Sequence, residues 1–132
     1  MIGAREVVPP RMTLSILLIA AGFILAGTLH LLRPGLYVRI VPRWLPAASI
    51  LVLVSGLCEI AGGAGVLLPA TRVLAGWGLL ALLVAVFPAN VQMLLDAHAR
   101  HASRAWQSML IARLPLQAVL MWWVWRATIR PA

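Results

Sequence analysis

The fold class is decided by residues 12–32, which read MTLSILLIAAGFILAGTLHLL. This run has no formal charge, and at about 1.5 Å per residue a helix of its length crosses the roughly 30 Å hydrocarbon core of a bilayer. The apolar core of a secretory signal is shorter, about 7–15 residues. We therefore expect the segment to be retained as a first membrane-spanning helix.

Three further apolar runs follow, separated by short polar segments. The predicted spans cover about residues 12–32, 47–68, 73–95 and 105–125. Hydrophobic residues make up 63% of the 132 and charged residues only 11%, which is too few for the polar shell of a soluble domain. The sequence predicts an all-α membrane protein, a four-transmembrane-helix bundle that forms a single membrane domain over residues 1–132.

The segment between the first two spans, RPGLYVRIVPRWLP (33–46), is too polar and proline-rich to cross. It carries three arginines, one tyrosine and one tryptophan, a composition typical of the membrane–water interface. We expect a short interfacial segment that lies at the surface or folds back over the bundle. Four spans place both termini on one side, called side A, whereas segment 33–46 and loop 96–104 lie on side B.

The net charge of +8 comes from arginine alone. The arginines separate apolar runs instead of lining one face, so they favour anionic lipid head groups over nucleic acid as partners. Side A carries Arg5, Arg11, Arg72, Arg126 and Arg130, and side B carries Arg33, Arg39, Arg43, Arg100 and Arg104. Because the two counts are equal, the positive-inside rule does not choose an orientation.

Nucleophiles and metal ligands are scarce. Cys58 is the single cysteine, so neither an internal disulfide nor a CxxC motif is available. His98 and His101 lack a third ligand and are interpreted as solvated loop residues. Without a phosphate-binding loop or a catalytic triad, a nucleotide enzyme or a stand-alone hydrolase is not expected.

Five polar side chains fall inside the predicted spans, where a charge at the bilayer centre costs roughly 2.5–3.5 kcal/mol. They are His30, Glu59, Asn90, Arg113 and Gln117. Counted along each helix, all five lie in the half of the membrane nearer side B, with Glu59 deepest. Because such residues face the bundle interior and pair, we expect them to form one ligand-binding polar pocket.

Charge complementarity predicts that Glu59 pairs with Arg113. His30 and Asn90 would then supply the remaining hydrogen bonds near the mouth of a chamber that opens to side B beneath segment 33–46. Two alternatives stay open: the ion pair only fixes helix register, or Arg113 extends to the interface without a partner.

Small residues and one proline bear on helix packing. Gly22 and Ala26 lie one turn apart in the first span, and Ser55 and Gly63 lie two turns apart in the second. Such stripes let helices approach closely in lipid. Pro88 removes one backbone hydrogen bond in the third span and is expected to leave a carbonyl facing inward.

Four strings, taken in order, resemble the DoxX-like family of small four-helix integral membrane proteins. They are AGTLHLLRPGLYVRIVPRWLP (26–46), SGLCEIAGGAGVLLPATR (55–72), GWGLLALLVAVFPANVQM (76–93) and RLPLQ (113–117), and they contain all five polar residues. The resemblance covers about residues 20–125. It implies a four-helix bundle, and it implies association with membrane oxidoreductase complexes, including thiosulfate oxidation coupled to quinone.

The leading hypothesis is a non-catalytic subunit of the bacterial cytoplasmic membrane that is accessory to an oxidoreductase. It would have no cofactor of its own, and a quinone is its candidate ligand, with a ketone oxygen accepting from Arg113 or His30. The expected partners are the lipid bilayer and either an oxidoreductase or a second copy of the chain. The alternatives are a small transporter with Glu59 as proton carrier, and a membrane assembly or chaperone-like protein in which the polar set is structural.

Overall fold

The architecture is all-helical in a computed structural model of the chain, which describes residues 12–130. Arg5 and Arg11 of the arginine comparison therefore lie outside the described residues. Within that range there is no strand, and the helices are α1 (Leu14–Leu32), α2 (Pro34–Val38), α3 (Ala48–Leu67), α4 (Arg72–Ala99) and α5 (Arg104–Thr128). The four helices other than α2 are long and apolar enough to cross a membrane, which confirms the predicted number of candidate spans.

The long helices begin within two residues of the predicted starts. The largest difference is the end of α4, which continues to Ala99 although the sequence predicts a span ending near residue 95. Gln92 Nε2 donates to Asp96 Oδ1 (2.9 Å) one turn later in the chain, and the backbone N–H of Arg100 closes the last turn on the Asp96 carbonyl. These bonds extend the helix into the predicted loop, because side chains four residues apart on a helix are neighbours.

Hydroxyl side chains cap the starts of α1 and α5. Thr13 Oγ1 accepts a hydrogen bond from the backbone N–H of Ile16 (3.3 Å), and Ser103 Oγ accepts one from the N–H of Trp106 (3.3 Å). Each cap supplies an acceptor to an amide that has no partner within its helix. The two helices therefore start where the sequence changes from polar to apolar.

The tight turn between α3 and α4 is fixed by Arg72, which the sequence placed among the surface arginines. Arg72 is only 4% exposed, and its Nε donates a hydrogen bond to the carbonyl of Val66 (2.9 Å). Thr71 Oγ1 donates to the carbonyl of Gly65 (2.7 Å) in the same helix end. A cation at a helix C-terminus satisfies free carbonyls and the helix dipole, so this arginine has a structural role.

The long helices pack in the order α1–α3–α4–α5, and the contact between α1 and α5 is much smaller than those between consecutive helices of this order. A hydrophobic core fills the half of the bundle nearer side A. Its buried members are Ile16, Ile19, Ala20, Phe23, Val66, Leu79, Leu83 and Val124. Toward side B the helices surround a cavity instead, and Ile19, Phe23 and Leu83 of the core form part of its wall.

Segment 33–46 forms the short helix α2 followed by turns, and α2 packs against α1 and α3. Pro42 is buried, and Tyr37 and Leu45 line the cavity together with three neighbours in the segment. The predicted interfacial segment therefore folds back over the bundle and forms one wall of the cavity.

Candidate functional site

The cavity has a volume of about 730 Å³ and receives side chains from α1, α3, α4, α5 and segment 33–46. All five polar residues that the sequence singled out line it: His30, Glu59, Asn90, Arg113 and Gln117. Most of the other lining residues are apolar. The arrangement therefore combines an apolar volume with a few polar groups, as small-molecule sites commonly do.

Glu59 and His30 lie in contact at the junction of α1 and α3. His30 Nδ1 lies 3.1 Å from Glu59 Oε2 and 2.9 Å from the carbonyl oxygen of Ala26 in its own helix. A carbonyl oxygen can only accept, so Nδ1 carries a hydrogen and donates it to Ala26. Glu59 Oε2, which is fully buried, is then left without a hydrogen bond from any described residue.

Tyr37 completes this group and was not selected from the sequence as a site residue. Its ring stacks on the imidazole of His30, with 3.7 Å between ring centroids and 23° between ring planes. Segment 33–46 thereby covers the histidine from side B. In the sequence, Tyr37 lies seven positions after His30, with a Pro–Gly pair between them. The two rings can meet only because the chain reverses its direction there.

The predicted pairing of Glu59 with Arg113 is replaced in the structure by the His30–Glu59 contact. α3 packs against α1 and α4, whereas α4 separates it from α5, so the neighbour available to Glu59 is on α1. Arg113 lines the cavity but is exposed, and its Nη1 lies 3.9 Å from Met93 Sδ. This placement agrees with the alternative in which the arginine extends without a carboxylate partner.

Asn90 and Gln117 form a second polar group that joins α4 to α5. Asn90 Nδ2 donates to Gln117 Oε1 (2.6 Å), and Gln117 Nε2 donates to the backbone carbonyl of Leu83. Asn90 was expected to supply a hydrogen bond near the mouth of the chamber together with His30, and in the structure its partner is Gln117. Pro88 has no N–H, so the carbonyl of Val84, four residues earlier, lacks its usual donor. The carbonyl that accepts from Gln117 is instead that of the preceding residue, Leu83.

The distance between His30 and Glu59 depends on the close approach of α1 and α3. Only some of the small residues that the sequence predicted for this contact lie in it. A Cβ on Gly56 would lie 2.7 Å from His30 Cβ, and one on Gly63 would lie 2.9 Å from the Ala20 carbonyl oxygen. Gly22, by contrast, has open space around it and lines the cavity. The predicted role of Gly63 therefore agrees with the structure, and the predicted role of Gly22 is wrong.

The face of α1 explains this difference. Leu18, Gly22, Ala26 and His30 recur at intervals of four residues and all line the cavity, so the small side chains at 22 and 26 leave volume below the imidazole. The α3-facing side is one position further round the helix, where Gly27 meets α3. Small residues on α1 thus serve two faces, one for packing and one for the cavity.

Among residues 12–130, no group of three or more His, Cys, Asp or Glu side chains is arranged to hold a metal ion. The described site instead offers a buried carboxyl group, a stacked imidazole and an exposed guanidinium around an apolar volume. Such groups bind an uncharged or zwitterionic organic molecule by hydrogen bonds at its polar end and by apolar contact elsewhere.

Comparison with known proteins gives one match. No curated protein and no solved structure matches the chain. A family model described as "Domain of unknown function (DUF8561)" matches residues 7–128, which is more than half of the chain. The chain therefore belongs to the DUF8561 family.

Proposed function

We propose that the chain is a multi-pass integral membrane protein that binds a small lipophilic molecule in the cavity. The candidate ligand is a quinone-type ring, and the protein acts as a non-catalytic subunit beside an oxidoreductase in a bacterial cytoplasmic membrane. One observation carries the proposal: four long apolar helices surround a cavity whose few polar groups gather toward one end.

Placement in a membrane is supported by the outer surface of the bundle. Large apolar side chains point away from the protein, including Leu14 (70% exposed) and Leu74 (76% exposed). In water, each such side chain would forgo roughly 1.5–3 kcal/mol of burial free energy. Lipid removes this penalty, and the helices satisfy their own backbone hydrogen bonds there.

A lipophilic ligand is supported by the lining of the cavity. Its volume of about 730 Å³ lies within the range of about 300–1,000 Å³ that is typical of small-molecule sites. Leu18, Val54 and Leu116 line the cavity and are each about half exposed or more. The cavity is therefore open along its wall, and in this proposal a molecule dissolved in the bilayer enters it there.

The link to an oxidoreductase rests on the DoxX-like resemblance. Within the cavity, Arg113 supplies a cationic donor that a ring carbonyl could accept from. The partner in this proposal is an oxidoreductase or a second copy of the chain. Mass spectrometry of protein purified in mild detergent would identify co-purifying subunits and any bound quinone.

The binding test compares two glycines that both have open space where a Cβ would lie. Gly22 lines the cavity, whereas Gly78 on α4 lies outside its lining. We expect Gly22→Leu to fill the cavity and weaken binding of a short-tailed quinone or quinol at least tenfold, and Gly78→Leu to bind as wild type does. Calorimetric titration in micelles measures both; equal binding by the two variants, or none by wild type, would contradict the proposal.

A second candidate is a small proton-coupled transporter with Glu59 as the proton carrier. The observation that favours it is the buried Oε2, which has no hydrogen bond from the described residues and lies next to an imidazole that Tyr37 covers on side B. Flux of a driven substrate in proteoliposomes should disappear in Glu59→Gln and persist in Asp96→Asn. Flux that survives Glu59→Gln would remove this candidate.

A third candidate is an assembly or chaperone-like membrane protein in which the polar set is structural. The Asn90–Gln117–Leu83 hydrogen bonds favour it, because they are satisfied within the chain and need no ligand. In that case Asn90→Ala would reduce the abundance and stability of the protein, and no binding activity would be lost.

A further inference from the structure

The geometry points to a ligand that presents a hydroxyl hydrogen to Glu59. We infer that the cavity selects lipophilic phenols and hydroquinones over ring compounds that carry only carbonyl or ether oxygens. This inference rests on the proposed function and names the chemical class of ligand that the same site would take.

The first argument is the unmet hydrogen bonding of the carboxyl group. Glu59 Oε2 has under 1 Å² of accessible surface and no hydrogen-bond partner among the described residues. His30 Nδ1 is near enough, but it gives its single hydrogen to the Ala26 carbonyl. The Glu59 side chain keeps 10% of its surface exposed and lines the cavity, so a donor that reaches the carboxyl group has to come from the cavity.

None of the chain's own donors around the cavity gives a hydrogen bond to Glu59 Oε2. Ser55, one turn before Glu59, donates its hydroxyl hydrogen to the carbonyl of Val52 (3.0 Å). The amides of Asn90 and Gln117 bind one another across α4 and α5. A buried carboxyl group that lacks hydrogen bonds is destabilising. Because Oε2 itself is closed to the cavity, a ligand hydroxyl would bond the carboxyl group through the part of the side chain that stays exposed there.

A hydroxyl suits the carboxyl group in both of its protonation states. It donates to a carboxylate, and it accepts from a protonated carboxylic acid while still donating elsewhere. A ketone or ether oxygen can only accept, so it can bond to the protonated acid but would face a carboxylate oxygen without a hydrogen between them. This asymmetry should give the hydroxyl compound the higher affinity.

An ammonium group is a donor too, but the charges around the cavity disfavour it. Arg113 lines the same cavity, and Arg33, Arg39 and Arg43 are exposed on the segment that covers it. Among the described residues, Glu59 is the only carboxylate in the lining. A cation entering from side B would therefore meet like charges before it reached Glu59.

The test uses three probes that share the same benzene ring and nonyl tail: 4-nonylphenol, its methyl ether 4-nonylanisole, and 4-nonylbenzylamine. Each is titrated calorimetrically into full-length protein in detergent micelles, with empty micelles as the reference. For wild type we expect the phenol to bind at least about tenfold more tightly than the anisole, the factor of one hydrogen bond to a charged group. The benzylamine should bind more weakly than the phenol.

Two carboxylate variants locate the effect. In Glu59→Gln the phenol-to-anisole ratio should fall below about threefold, because a neutral amide oxygen is a weaker acceptor. Asp96→Asn neutralises the other described carboxylate, which lies outside the cavity lining, and should keep the wild-type ratio. The wild-type comparison stands by itself if Glu59→Gln does not fold.

The outcomes separate the two proposals. Equal binding of phenol and anisole, tighter binding of the amine, or a preference that survives in a folded Glu59→Gln variant would overturn the hydroxyl inference and leave a lipophilic binding site. Binding of none of the three probes, together with no quinone binding, would overturn the proposed function as well.

Discussion

Replacing Gly27 with alanine should loosen the contact between α1 and α3, whereas the same change at Gly22 should not. Both glycines lie in α1 and both changes add one methyl group. At Gly27 the new Cβ would meet the backbone oxygen of Gly56 and lie 2.8 Å from Ile60 Cγ1 and 3.0 Å from Glu59 Cβ. At Gly22 the new Cβ would have no heavy atom within 4 Å apart from its chain neighbours and the backbone of its own helix.

The expected magnitudes follow from two opposing effects. Glycine to alanine in a helix interior contributes about 1 kcal/mol of stabilisation at either position. At Gly27 the nearest neighbour is backbone, which cannot rotate away, so overpacking of about 1–3 kcal/mol is added. The stabilisation from glycine to alanine is the same in both variants and cancels in the comparison. Gly27→Ala should therefore be about 1–3 kcal/mol less stable than Gly22→Ala.

The assay is reversible unfolding in mixed micelles with increasing mole fraction of sodium dodecyl sulfate, followed by tryptophan fluorescence and circular dichroism. Wild type and both variants are measured at one protein concentration, so that any self-association affects them equally. A Gly27→Ala variant as stable as Gly22→Ala would refute the reasoning, because it would mean that α1 and α3 do not approach as closely as the structure has them.

Three further predictions concern Gln117, Arg72 and Tyr37. Gln117→Leu keeps the volume but removes the donor to the Leu83 carbonyl, and we expect the free energy of unfolding in the same assay to fall by about 1–3 kcal/mol. Arg72→Met removes the buried cap of α3 and should lower it by a similar amount, whereas the exposed Arg126→Met should change it by less than about 0.5 kcal/mol. Tyr37→Phe keeps the ring on the imidazole and should preserve phenol affinity, whereas Tyr37→Ala should reduce it about twofold to tenfold by calorimetric titration.

Each of these expectations has a contrary result. Wild-type stability of Gln117→Leu would mean that the interhelical hydrogen bonds contribute nothing net. Equal effects of the Arg72 and Arg126 substitutions would mean that the buried cap is no stronger than a surface arginine. Unchanged phenol affinity in Tyr37→Ala would remove the tyrosine from the site.

The number and approximate bounds of the long helices were predictable because both depend only on the order of residues along the chain. Unbroken apolar length determines which segments can cross a bilayer, and the described helices begin within two residues of the runs marked in the sequence. The end of α4 was less predictable. Residues 96–99 (DAHA) could belong to a loop or to an extended helix, and the Gln92–Asp96 hydrogen bond that extends the helix depends on helical geometry.

The membership of the cavity was predictable in the same way, but its pairings were not. Rise per residue gives the depth of a side chain without knowledge of the fold, so His30, Glu59, Asn90, Arg113 and Gln117 could be assigned to one half of the bundle. Depth does not tell which helices are neighbours. Because α3 lies beside α1 and not beside α5, Glu59 meets a histidine and the arginine is left near Met93.

The sequence alone thus determined that apolar run 12–32 and its three successors form membrane-length helices, and that their polar residues share one depth. The tertiary structure decided which face each helix presents. Gly27 packs on α3 while Gly22 leaves space for the cavity, and Tyr37 covers His30 only because segment 33–46 folds back. The physical reason is that hydropathy and length are properties of one segment, whereas helix rotation and neighbour choice depend on how all the segments pack together.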